Sequence, residues 1–167
     1  MMRIVTQTTI PADSLLQPLL ANADFHDAFQ AQLHDPALTP VEIYLRASRA
    51  TPPWVNRLMD LRNRMVRPLG LKAPGRLSDV GGKQAAAYKI GDRIGIFSIF
   101  ALTDAELLMG IDDSHLDVRV SVLKRDDGHY VLSSVVTIHN CTGRLYMLPV
   151  GRIHPFVVRA MMQRADV

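Results

Sequence analysis

Toward the end of the chain, residues able to hold a metal or move a proton recur at every second position. His115, Asp117 and Arg119 occupy one segment, and Thr137 and His139 occupy a second. Two imidazoles with a carboxylate make up the ligand set of some metal sites, and a histidine beside an aspartate can do acid–base work. Whether these side chains meet depends on the turn at Asp126-Asp127-Gly128. A two-residue turn would set His115, Asp117 and Arg119 among Leu132, Val136 and Ile138. A three-residue loop, with Gly128 in the left-handed conformation, pairs Arg125 with His129 instead. Leu116, Val118, Val120 and Val122 then share a face with Tyr130, Leu132, Val136 and Ile138. The opposite face gathers His115, Asp117, Arg119 and Ser121 with Ser133, Val135, Thr137 and His139. A one-residue slip exchanges the faces, so the register that segregates polarity is expected, and that is the three-residue loop. It sets His115 across from His139 and Asp117 across from Thr137. The first reading of the polar face is a solvated one, with Asp117 and Arg119 as a surface ion pair worth ~0–1 kcal/mol. A ligand-facing patch is the second reading. No metal site is assigned.

Other reactive residues have plainer readings. Cys141 follows His139 by two positions, so a continuing strand would align thiol and imidazole. It is the single cysteine, which excludes an internal disulfide and a multi-cysteine metal site. His154 precedes Pro155 and is expected at a helix start before a pocket. Ser133 and Ser134 lack the glycines of a nucleophile elbow and are read as structural. Asp112 and Asp113 are expected to cap backbone N–H groups at a turn. Gly81-Gly82-Lys83 lacks the second spaced glycine and the Lys-Ser/Thr pair of a phosphate loop. No catalytic motif settles a reaction, so catalysis stays open without being the leading expectation, and no cofactor is assigned.

The elements that must carry these residues follow from periodicity. Asp24–Leu33 alternates Phe25, Asp27, Phe29, Ala31 and Leu33, a mostly apolar period of two that predicts a strand. Thr39-Pro40 looks like an N-cap with proline at the first helical position, opening a helix to about Arg49. From Pro53 to Leu69, Trp54, Leu58, Leu61, Met65 and Leu69 recur at helical spacing, with Val55, Met59 and Val66 widening the stripe, a second helix with Trp54 expected in the core. Residues 72–91, rich in glycine, read as a loop. Strands are expected at about Arg93–Ala101, Glu106–Ile111, His115–Lys124 and His129–Asn140. Gly143–Arg164 reads as a C-terminal helix that Pro149 and Pro155 should kink or divide. Strands and helices are thus segregated, which indicates α+β architecture. A sheet of this kind needs its apolar face covered, so the closing helix is expected to lie across it.

With 167 residues, the chain is one domain, 1–167, with residues 1–22 as an N-terminal arm. At 48% hydrophobic and 21% charged residues, it is neither disordered nor fibrous. No apolar run nears the ~18–20 residues needed to span a bilayer, and neither a secretory signal nor a membrane partner is expected. A cytoplasmic location is the default. Between Tyr44 and Arg93, eleven basic residues face three acids, while acids concentrate in Asp104–Asp127. This basic layer is read as neutralised within the domain. Nucleic-acid binding through the Arg57–Arg67 helix is the lesser alternative, because no nucleic-acid motif accompanies the charge.

Three stretches resemble one bacterial family, that of domain of unknown function 2867 (DUF2867). They are Gly110-Ile-Asp-Asp-Ser-His-Leu-Asp-Val-Arg119-Val-Ser-Val, His139-Asn-Cys-Thr-Gly-Arg-Leu-Tyr146 and His154-Pro-Phe-Val-Val-Arg159-Ala-Met-Met. Trp54-Val, Leu61-Arg-Asn63, Gly70-Leu71 and Ile94-Gly-Ile-Phe97 add to the likeness, which runs from about Phe25 to Ala165. The family is similar to helix-grip proteins of the START/SRPBCC kind. The resemblance implies a curved antiparallel sheet packed against a long C-terminal helix, with two helices after the first strand, around an apolar cavity. It supplies no catalytic residues. Together with the apolar sheet face, it points to a small apolar or amphipathic ligand held between sheet and helix. Trp54, Val118, Val120, Val136, Met147 and Met161 are then the candidate lining. An enzyme of cyclase, hydrolase or isomerase type using the polar patch is the alternative, and a homodimer is left open.

Overall fold

The computed structural model describes residues 3–73 and 75–167. Seven strands form one curved antiparallel sheet: β1 (Val5–Gln7), β2 (Phe25–Gln32), β3 (Arg93–Ile94), β4 (Phe97–Leu102), β5 (Glu106–Asp112), β6 (Leu116–Lys124) and β7 (His129–Ile138). Their spatial order is β1-β2-β7-β6-β5-β4-β3. The hairpin between β6 and β7 takes the expected register. The Arg125 amide donates to the His129 carbonyl at 2.9 Å, and Gly128 sits at φ 78° in the left-handed region. Leu116 pairs with Ile138, Val118 with Val136 and Val122 with Leu132, which places the valines on one inner face. Polarity segregation chose this alignment, because a slip by one residue would have buried Asp117 and Arg119.

Three helices lie beside the sheet: α1 (Pro40–Arg49), α2 (Pro53–Val66) and α3 (Cys141–Arg164). Thr39 opens α1 with a complete capping box. Its side chain accepts from the Glu42 amide, and the Glu42 carboxylate accepts from the Thr39 amide at 2.7 Å. Those hydrogen bonds to Thr39 hold the Glu42 carboxyl below its ordinary range. Val41, Ile43, Tyr44, Leu45 and Ala47 of α1 are buried against the inner face together with Val158 and Met162 of α3. The roof is therefore shared between α1 and the last turns of α3.

Several expectations need correction. α3 runs as one helix through both prolines, so they do not divide it. The strand expected at Arg93–Ala101 is two, broken by Gly95 at φ 59°. A three-residue strand, β1, precedes the strand read as the first. Only one edge of the apolar stripe of α2 is buried: Val55 and Val66 are buried, while Trp54, expected in the core, is 47% exposed and Leu61, Met65 and Leu69 are exposed too. The 3.6-residue period located the apolar stripe correctly, but α2 turns inward only through its Val55, Met59 and Val66 edge.

Part of the outer sheet face is covered as well. The N-terminal arm crosses it, so Ile10 and Leu16 join Ala28, Val131 and Val135 in a second apolar layer. At its centre, buried Glu106 accepts from Ser14 Oγ at 2.7 Å, from the Leu15 amide at 2.9 Å and from Ser121 Oγ. A carboxylate at this depth is tolerable because three donors surround it.

Candidate functional site

The sequence patch occupies the outer face, at the end where the arm leaves a gap. Register places Asp117 beside Thr137 and Arg119 beside Val135. His139 Nε2 lies 3.0 Å from Asp117 Oδ2. Arg119 does not pair with Asp117. Its guanidinium turns over β5 to Asp112 Oδ1 at 2.6 Å and stacks on the Phe100 ring with its centre 4.0 Å from the centroid. Gly110, paired with Arg119 across the ladder, makes the route passable, because a Cβ there would stand 2.1 Å from the Val118 carbonyl oxygen and 3.1 Å from Arg119 Nη1. Asp117, Arg119 and Thr137 line a small hollow of about 190 Å³ with Leu19, Asn22 and Val135.

His115 leaves this constellation. Its carbonyl accepts from the His139 amide at 2.9 Å, as the register requires, but its Nδ1 meets the Asn140 side-chain amide. Nε2 points toward Gly70. The two imidazoles therefore do not converge on a shared ligand position, and no cluster of three metal-ligating side chains occurs among the described residues. Cys141 is exposed and opens α3, three residues beyond the end of β7, so no strand aligns it with His139. Asp113 does cap backbone amides, accepting from Lys72 at 2.7 Å and His115 at 3.3 Å. Burial pushes its carboxyl up, but those donors outweigh it and hold it below its ordinary range.

Six residues were expected to line an inner cavity. Val120, Val136 and Met161 are buried, Val118 and Met147 are half-buried, and Trp54 is exposed. The larger surface hollow, about 520 Å³, lies elsewhere, between α1 and residues 82–86, with Glu42, Arg46, Arg49 and Lys83 in its wall. Those cations are committed nearby: Arg46 to the Asp166 carbonyl, Arg49 to the Gly81 carbonyl and Lys83 to Asp92.

On the inner face, the structure joins two residues that sequence reasoning left apart. Asp27 of β2 is buried, and its Oδ2 accepts from His154 Nδ1 at 2.8 Å. His154 therefore sits mid-helix in α3, not at a helix start, with its ring edge-on to Phe25 at 5.8 Å. Ser134, the neighbour of Asp27 across the ladder, is buried as well. The available signal was Asp27 itself, a carboxylate on the apolar phase of Phe25, Phe29 and Ala31; its partner, 127 positions away, left none.

No curated protein and no solved structure matches this chain. The profile of a family described as "Protein of unknown function (DUF2867)" matches residues 19–161, from the turn before β2 to the last turn of α3. Covering most of the chain, that match shows that it belongs to the DUF2867 family.

Proposed function

We propose that this protein binds a small apolar or amphipathic molecule in an open cleft above the inner sheet face, between α2 and α3. The observation that carries the reading is a pair of unfilled apolar lines on these two helices. Trp54, Leu58, Leu61 and Met65 follow each other at helical spacing on α2, and Tyr146, Val150, Ile153 and Val157 do so on α3. None of the eight is buried. One flank of α2 is occupied by the following loop, through Asn63 Nδ2 donating to the Gly75 carbonyl and Ser78 Oγ to Asn56 Oδ1. Arg62 reaches the other way, its Nε donating to the Tyr146 hydroxyl at 2.9 Å. That hydrogen bond ties the two helices together, and in this proposal the two apolar lines are the walls on either side of it. Beneath them Ile111, Val118 and Met147 are only half-buried.

A shallow groove of this kind suits an occupant that is itself apolar, since filling it removes these side chains from water at about 25 cal/mol per Å². The reading agrees with a helix-grip relationship to START/SRPBCC proteins, as an open rather than closed form. The single cysteine is in keeping with a cytoplasmic, reduced protein. No described helix is long and apolar enough to cross a membrane.

Titration with naphthalene, followed by methyl NMR, tests the proposal. Shifts should concentrate at Val118, Val150 and Ile153, and Ile153→Glu should abolish them while leaving the fold intact. An unperturbed spectrum, or shifts confined to other methyls, defeats the cleft.

A further inference from the structure

The Asp27–His154 pair has a chemistry that packing does not require. Asp27 keeps its side chain 5% exposed on a face whose neighbours along the strand are Phe25 and Phe29. Its Oδ1 has no hydrogen-bond partner among the described residues, and neither does Ser134 Oγ directly across the ladder. Among those residues His154 is the one basic side chain within ion-pair reach of the carboxylate. Arg159, about a turn further along α3, holds its guanidinium over the Phe29 ring instead, and its Nε is likewise without a partner. Buried polar groups are nearly always satisfied, and an apolar residue at position 27 would serve the core better than a carboxylate with one idle oxygen. The idle atoms are grouped. Ser134 lies one strand inward from Asp27, and Val120 follows on β6, so the unpartnered oxygens sit beside the floor of the proposed cleft.

The carboxylate also sets the tautomer. Asp27 Oδ2 can only accept, so His154 Nδ1 carries the proton and Nε2 is left as an acceptor in the neutral ring. The ring is 28% exposed, so this nitrogen is not sealed in. From this geometry we infer that Asp27, His154 and Ser134 form the polar anchor of the cleft and select ligands carrying a hydroxyl group. The hydroxyl donates to His154 Nε2, while Asp27 and Ser134, buried beneath, hold the ring in the accepting form. This inference rests on the cleft reading and specifies which amphipathic molecules it takes.

Two probes of equal shape separate the questions, 2-naphthol and naphthalene. Calorimetry should show 2-naphthol binding about tenfold more tightly, the effect of one hydrogen bond to a charge-supported acceptor. In the unmodified protein, the His154 Nε2 nitrogen resonance should move with 2-naphthol and stay in place with naphthalene, a response that a merely structural histidine would not give. His154→Phe should retain naphthalene and lose the preference. Equal affinity for the two probes, a silent His154 resonance, or a preference that survives His154→Phe overturns the hydroxyl site and leaves the cleft standing. Failure of both probes to bind overturns the cleft with it.

Discussion

Single residues here are decided by what stands across the ladder from them. Arg119 was expected to pair with Asp117 two positions away, yet it crosses β5 to Asp112 because its ladder neighbour is Gly110. A methyl group at position 110 would sit 2.1 Å from the Val118 carbonyl oxygen, which no side-chain rotation can relieve. Gly110→Ala should therefore destabilise the fold by about 2 kcal/mol or more in urea denaturation. A variant as stable as the parent would show that the β5–β6 approach is looser than described. Asp27 teaches the complementary lesson. Its place on an apolar phase is visible in the sequence, but whether such a carboxylate is an error of pattern or half of a pair depends on a helix 127 residues downstream.

Elements were read best where their own sequence closes them. Thr39, Pro40 and Glu42 start α1 by local hydrogen bonds, and Asp126 to Gly128 set the β6–β7 register, so both were legible. The N-terminal arm was not, since the residues it buries deepest on the sheet, Ile10 and Leu16, stand too far apart to share a strand or helix period. Its anchor is Glu106, whose carboxylate gathers Ser14, Leu15 and Ser121. Glu106→Ala strands those donors. It should cost roughly 3 kcal/mol, lower the melting temperature by about 6–12 °C and speed amide exchange at residues 14–22. An unchanged exchange pattern would mean that the arm is held by its apolar contacts alone. α2 shows the limit of periodicity, which finds an apolar line without saying whether the sheet or solvent lies opposite it.

At the scale of the whole molecule, burial of two phenols ties stability to alkaline pH. Desolvation pushes the Tyr44 hydroxyl up to about 12 and the Tyr130 hydroxyl up to about 12, from an ordinary 10.0. Each group is neutral in the fold and ionises more readily once unfolded. The stability linked to this is fully present below pH 10.0 and is lost as the pH rises toward 12. Phenolate absorbance from these two residues should emerge together with loss of structure in that range, and Tyr44→Phe should soften the transition. Ionisation of both near 10 with the sheet intact would contradict their burial.

What the sequence determined by itself was local: the α+β order, the cap of α1, the loop at Gly128 and the inner valine face, each settled by neighbours within a few residues or by polarity alternating along one strand. Only the tertiary structure decided which surfaces stay open and which residues meet. Trp54 faces outward, the arm covers part of the polar side, His115 leaves His139, and Asp27 finds His154. Those outcomes depend on how whole elements lean against one another, and the free energy that sets those angles is spread over many distant contacts, none of which leaves a periodic mark in the chain.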